Sequence, residues 1–247
     1  MKAFIPAAGL GTRLRPFTLT NPKALVAVDG VPMLERVICR LKNQGFDDFV
    51  INLHHFGDKI EEFVKSKDYF GVRIRFSDER DCLLDTGGGI LNAATMLGET
   101  SDPFLIHNVD ILSNADLGEL MKTHEDSDAA ATLLVSDRDS SRRLVFDSGM
   151  ELRGWHNLAQ DIYRPEGFNG EEGDRELAFS GIHVMSPGRM FPEMRRQGRE
   201  GVFSVIDFYL EAMGNEKILG KEDHGLSLID IGKPESLAAA QMKLDLL

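Results

Sequence analysis

Cysteine is scarce in this 247-residue chain: Cys39 and Cys82 are the only two, and they form no C-x-x-C pair. That excludes a disulfide framework and predicts a reducing, cytoplasmic setting. There is no H-E-x-x-H and no tight His/Cys cluster, so zinc has no candidate ligand set. No apolar run reaches the roughly 18 residues of a membrane span, and the N-terminus shows no signal-peptide core. The most informative absence is of negative charge at one end. The first 28 residues hold Lys2, Arg13, Arg15 and Lys23 and no carboxylate, in a chain of formal net charge −12. A local cationic stretch in an acidic protein predicts a small polyphosphate ligand. It speaks against nucleic acid, whose long phosphate track needs a broad basic face.

What is present begins with A-F-I-P-A-A-G-L-G-T-R-L-R-P (3–16), a short apolar run ending in a glycine turn. Such a run reads as a buried strand, and Gly9 and Gly11 let the backbone bend and approach a ligand closely. Successive N–H groups in such a turn make an anion site. A Walker A loop is excluded because no Lys-Ser/Thr pair follows the glycines. The dinucleotide fingerprint fails at its third glycine, where Leu14 stands, and Pro16 interrupts the helix that it needs.

Apolar content of 42% suits a sizeable core. After a short strand over 24–28, Pro32 starts a helix in which Met33, Leu34, Val37, Ile38 and Leu41 recur at helical spacing until Gly45. Strands are predicted over 48–53 and 72–76 with a helix over 57–66 between them, the pattern of βαβ units and a mostly parallel sheet. L-L-D-T-G-G-G-I (83–90) reads as a second glycine loop lying against a planar ligand such as a nucleobase. P-F-L-I-H-N-V-D (103–110) reads as a strand ending in a carboxylate. Residues 143–155 predict a hairpin turning at Ser148-Gly149, and 160–176, polar and aperiodic, a mobile lid. Trp155, the lone tryptophan, is expected to pack rather than to bind. A strand over 178–185 is interrupted by Gly181, a sign of close approach. The histidines show no sequence partner and read as structural.

The pairing of A-A-G-L-G-T-R-L-x-P with N-P-K-A-L resembles the signature of the sugar-1-phosphate nucleotidyltransferases. The resemblance implies a single α/β domain over 1–247 with a Rossmann-like, mixed, mostly parallel sheet flanked by helices and a sugar-binding hairpin or lid insertion. Its nucleotide part would be 1–136, its sugar part 137–232 and its C-terminal helix 233–247. The implied reaction joins a nucleoside triphosphate to a sugar 1-phosphate and releases pyrophosphate. Arg13 and Lys23 match the catalytic cations of the family. The implied nucleotide site comprises Ala8, Gly9, Gly11, Thr12, Arg13, Lys23, Thr86, Gly87 and Gly88. Asn108, Ser180 and Gly181 correspond to the sugar pocket, and Asp110 and Asp230 to carboxylates for Mg²⁺, with Mn²⁺ as a substitute. Two departures stand out: Val109 replaces a glycine, and the usual E-x-K-P motif, whose lysine holds the sugar phosphate, is missing near Trp155-His156-Asn157. The T-G-G-G form of the second loop resembles the uridylyl members of the family more than the thymidylyl ones. The resemblance implies UTP with N-acetylmuramic acid 1-phosphate, with GTP and mannose or heptose 1-phosphate as the alternative. A non-catalytic binding relative would lack one of Arg13, Lys23, Asp110 or Asp230, and all four are present.

Overall fold

The computed structural model describes residues 1–232 together with Ser236, Leu237 and Ala240. Apart from those three positions, the helix expected over 233–247 lies outside the described residues. The first half of the chain runs β1 (Lys2–Ile5), β2 (Ala27–Val28), β3 (Val31–Pro32), α1 (Met33–Asn43), β4 (Asp48–Leu53), α2 (Gly57–Ser66), β5 (Arg73–Asp78), α3 (Asp85–Asn92), α4 (Ala94–Leu97), β6 (Phe104–His107), β7 (Ile111–Ser113) and α5 (Leu117–Glu125). The second half runs β8 (Ala131–Ser136), β9 (Arg142–Phe146), β10 (Leu152–Asn157), β11 (Ile162–Arg164), β12 (Arg175–Met185), α6 (Pro187–Arg196), α7 (Val205–Ala212), β13 (Ile218–Glu222) and β14 (Leu228–Asp230).

The sheet is parallel along β5-β4-β1-β6, then turns antiparallel at β12. Strand β12 is the joint of the molecule. Its first residues, Arg175–Leu177, pair with β9 of the hairpin, and its last four pair with β6. Its other edge carries β8, to which β13 is added in parallel. Gly181 sits at the bulge between these regions with φ of +77°, where a side chain would be strained.

Both faces of the sheet are covered, which is why its parallel strands read as nearly continuous apolar runs. Phe4, Val50 and Ile106 point to one face, packed with residues of α3, α6 and α7. Ala3, Ile5, Ile51 and Leu105 point to the other, against α1, α2 and α5. Helix α1 buries Met33, Leu34, Val37, Ile38 and Leu41 as one stripe, and Gly45 adopts φ of +89° just beyond its end. A third, small cluster joins Leu14, Val26, Leu112, Ile229 and Ile231. It packs the glycine loop, the Lys23 segment and β7 and β14 together as one unit.

Three expectations are revised. Gly87–Gly89 are the buried turns of α3, not a loop. The strand before Asp110 ends at His107, and Asp110 lies in the turn to β7. Residues 160–176, expected to lack structure of their own, contain β11, and the segment is anchored by aromatic rings. Tyr163 stacks on His156 at 3.8 Å, and Phe168 packs edge-on against Tyr163. A Cβ on Gly154 would lie 2.4 Å from the Phe168 ring, so that glycine makes room for the anchor. The predicted hairpin is present, β9 against β10, with Asp147 Oδ1 accepting from the Gly149 and Glu151 amides at its turn.

Candidate active site

The glycine loop leaves β1 at its carboxyl end, where open α/β sheets place ligands. Ala7 and Ala8 are buried, and their amides both donate to Asn52 Oδ1, at 2.6 and 3.1 Å. From Gly9 onward the loop is open. Gly9 and Thr12 are exposed, and a Cβ on Gly9 would meet nothing within 4 Å. Gly11 takes φ of +59°, and its carbonyl accepts from Thr18 Oγ1 at 2.9 Å. Arg13 and Arg15 are exposed, and neither side chain has a partner among the described residues. The following segment is held down by α2 and the residues before it: His55 Nε2 contacts the Thr18 carbonyl, and Lys59 Nζ donates to that of Thr20.

Lys23, Asp110 and Asp230 come from three distant parts of the chain and meet. Lys23 Nζ donates to Asp110 Oδ2 in a partly buried ion pair. The two-stranded β7–β14 ladder brings in the second carboxylate: Asp230 lies opposite Ile111, and the Ile231 amide donates to the Asp110 carbonyl at 3.0 Å. Asp230 Oδ1 accepts from the Gly232 amide at 2.7 Å. A Cβ on Gly232 would lie 2.8 Å from Asp230 Oδ1, 3.3 Å from Asp110 Oδ2 and 3.6 Å from Lys23 Nζ. The absent side chain is what lets the three groups converge. Two carboxylates fit Mg²⁺, which commonly takes one or two from protein and fills its shell with phosphate and water. No group of three or more His, Cys, Asp and Glu suited to a metal occurs among the described residues.

A cleft of ≈ 430 Å³ lies between this cluster and α3, lined by Ala8, Gly9, Lys23, Asn52, Thr86, Asn108, Asp110 and Val202. Gly87 and Gly88 are packed away from it. Their amides, the orphan donors of a helix start, both go to the Phe203 carbonyl at 2.9 and 3.2 Å. A Cβ on Gly87 would lie 2.4 Å from the Phe203 ring, and one on Gly88 2.1 Å from the Gly201 carbonyl oxygen. Thr86 stays at the cleft, and its hydroxyl accepts from the Val205 amide at 3.0 Å.

Gly181 lies against the turn after β6: a Cβ there would be 2.7 Å from Asn108 Nδ2, and the Asn108 amide donates to the Gly181 carbonyl. Ser180 is buried, with its hydroxyl accepting from the Ile182 amide inside the bulge, so its side chain does not reach the cleft. Val109, in place of the family's glycine, is core.

Two residues that carry no motif support the loop beside the cleft. Asn52 accepts from the loop amides and donates from Nδ2 to Glu79 Oε1 at 2.8 Å. Both are almost fully buried. Burial raises the Glu79 pKa above the ordinary carboxylate value, opposed by the Asn52 hydrogen bond. The one available sign was an asparagine interrupting the apolar run of β4. Burial lowers the pKa of His107 and His124 to about 4 and of His183 to about 3, so these three rings are neutral near neutral pH.

Fold and site define a class: an α/β protein whose cationic glycine loop and paired carboxylates share a cleft at the ends of parallel strands. The nucleotidyl transferase family model matches residues 2–144, and the chain belongs to that family. It is 30% identical over 250 residues to an N-acetylmuramate alpha-1-phosphate uridylyltransferase of Caulobacter vibrioides, covering 98% of this chain and 96% of that protein. A protein of the same name from Neisseria meningitidis is 38% identical over 184 residues, 70% of this chain and 79% of that one. Among solved structures, a putative glucose-1-phosphate thymidylyltransferase from Bacillus anthracis superposes with a TM-score of 0.80 over 98% of this chain and 94% of that one, at 19% identity. No helix among the described residues is long and apolar enough to cross a membrane.

Proposed function

We propose that this protein transfers a uridylyl group from UTP to N-acetylmuramic acid 1-phosphate, forming the UDP-sugar and pyrophosphate. The observation that carries the reading is the convergence of Lys23, Asp110 and Asp230 at Gly232, beneath an open cationic loop. The end-to-end similarity to the Caulobacter uridylyltransferase supports the choice of base and sugar. In the reaction an oxygen of the sugar phosphate forms a bond to the α-phosphorus, and the bond from that phosphorus to the oxygen bridging to the β-phosphorus breaks. The nucleophile is already anionic near neutral pH, so no general base is required, which fits a site without a histidine.

The chain's task is therefore to hold anions together in line. Gly9, Gly11 and Thr12 form the loop around the triphosphate, and Arg13 holds the departing β- and γ-phosphates. Lys23 leaves Asp110 to stabilise charge at the α-phosphate. Asp110 and Asp230 would hold Mg²⁺ or Mn²⁺, which when bound neutralises phosphate charge. Thr86 would serve the base and Asn108 and Gly181 the sugar, so that residues 1–136 are mainly nucleotide-binding, with Asn108 reaching across, and 137–232 mainly sugar-binding. The test is a panel of nucleoside triphosphates against sugar 1-phosphates, scored by pyrophosphate release. UTP with N-acetylmuramic acid 1-phosphate should give the highest kcat/KM, and Asp110→Asn should lower kcat far more than tenfold. A preference for GTP with mannose or heptose 1-phosphate would overturn the substrate reading, and full activity of Asp110→Asn in EDTA the metal reading.

A further inference from the structure

A second cleft, of ≈ 540 Å³, opens between the β9–β10–β11 hairpin and the start of α7. Four arginines line it, Arg138, Arg142, Arg143 and Arg164, against one carboxylate, Asp207. Pairing in the hairpin sets two of them on one face. Arg142 lies opposite Asn157, and Arg164 opposite Trp155, two residues away on the same strand. Residues two apart on a strand share a face, so Arg142, Asn157, Trp155 and Arg164 form one surface. The Arg164 guanidinium sits over the Trp155 ring at 5.0 Å and also pairs with Asp207 at 2.7 Å.

The four arginines are not equally committed. Arg143 is spent on structure: it pairs with Asp137 and donates to the carbonyls of Glu176 and Arg138. Arg138 donates through one terminal nitrogen to the Phe179 carbonyl, while its buried Nε has no partner among the described residues. It also lies close enough to Asp230 to feel the charge of that carboxylate. Arg142 is exposed, and its side chain has no partner among the described residues. The cleft shares a wall with the nucleotide side, because Thr86 is bonded to Val205, the first residue of α7.

We propose that this cleft is the subsite for a carboxylate carried by the sugar, with Arg142 and Arg164 as its specificity-determining residues. The proposal rests on the reading that the acceptor is a sugar 1-phosphate. The 1-phosphate belongs at the end of the cleft near Arg138 and Asp230. Arg142 and Arg164 stand on the outer strands of the hairpin, and a sugar that is neutral beyond its phosphate offers them no anionic partner. Trp155 and Phe179 supply flat apolar surface for the ring between the two anionic groups. Guanidinium groups suit this role because they meet a carboxylate through two parallel hydrogen bonds.

The test uses a matched pair, N-acetylmuramic acid 1-phosphate and N-acetylglucosamine 1-phosphate, which differ by the ether-linked lactic acid. Affinities for both are measured by calorimetry on the full chain, with and without a non-hydrolysable UTP analogue. The native protein should bind the acid-bearing sugar roughly tenfold more tightly or better, the scale of one charge-assisted hydrogen bond. In the Arg142→Gln/Arg164→Gln variant that ratio should collapse toward one, and the corresponding double lysine variant should keep part of it. A native ratio near one, a ratio unchanged in the glutamine variant, or parallel loss for both sugars would each overturn the subsite. The ratio compares two ligands on one protein, so partial misfolding cancels from it. Because it is read from binding, a preserved ratio without pyrophosphate release would sink the reaction and leave the subsite standing. Turnover with an unchanged ratio would do the reverse.

Discussion

Two glycine-rich segments of this chain resemble each other in composition and do opposite work. At Gly9 the missing side chain leaves open space, where an added Cβ would touch nothing. Gly11 supplies φ of +59° where the loop closes on Thr18 and Lys23, each 2.9 Å from an added Cβ. Around Gly87–Gly89 the missing side chains remove space: each position is pressed against a neighbour, Phe203, the Gly201 carbonyl, or the Asn52–Glu79 pair. The first segment is exposed and cationic, with two arginines lacking side-chain partners among the described residues. The second is a buried helix whose first amides are already satisfied. Glycine thus keeps one wall of the cleft accessible and lets the other be built close. Asn52 touches both, holding the loop at Ala7 and Ala8 and filling room that Gly89 leaves.

The largest effects should come from stripping charge from the open wall. If Arg13 and Lys23 contact phosphates whose charge shifts during transfer, Arg13→Ala and Lys23→Ala should each lose roughly 10²-fold or more in kcat/KM. Arg15 lies two residues past Arg13 and should contribute only field, so Arg15→Ala should lose less, and less still at high salt. Steady-state kinetics at two ionic strengths separates these cases. Equal, salt-sensitive losses in all three would reduce the open wall to a basic patch.

The closed wall should respond in stability. Gly88→Ala places a methyl group 2.1 Å from a backbone oxygen, so the helix must shift. Overpacking of this kind costs about 1–3 kcal/mol or more. Gly9→Ala should change stability by less than about 0.5 kcal/mol, as surface substitutions usually do. Urea unfolding of both variants is the measurement. Comparable losses would mean that the loop is packed as tightly as the helix and that the contrast fails.

The contrast also shows what could be read from residue order. Periodicity located the parallel strands, α1 and the hairpin because each buries a regular stripe or alternation. It misread Gly87–Gly89, since three glycines disfavour a helix and only tertiary packing against Phe203 and Gly201 stabilises one there. The segment at 160–176 hid its anchors because Tyr163 and Phe168 sit singly among polar residues. Arg13, Lys23, Asp110 and Asp230 were legible through motif resemblance. Their meeting at Gly232 was not, because it depends on the β7–β14 register and on a shared apolar cluster. The arginine cleft was equally hidden, since its four arginines span 27 residues of chain and face one another only after the hairpin closes.

The smallest effect at neutral pH concerns His183, deep on the closed side. It is 2% exposed, flanked by Phe179 and Tyr209, and neither ring nitrogen has a hydrogen-bond partner among the described residues. Burial lowers its pKa to about 3, below the ordinary value of 6.5. The folded protein therefore holds it neutral, while the unfolded chain takes up a proton as pH falls through 6.5. Stability from this group is complete above the unfolded pKa and is lost progressively on acidification. Between pH 7 and pH 5 the loss is about 2 kcal/mol, from the linkage between the two pKa values. His183→Leu removes the titration together with two buried nitrogens that lack partners, so its stability should vary less with pH. Its melting temperature, relative to the native protein, should rise by about 4–8 °C on going from pH 7 to pH 5. Calorimetry of both proteins at the two pH values checks this. A constant difference would mean that His183 is protonated in the fold or that water reaches it, and the closed side would then be less sealed than its packing implies.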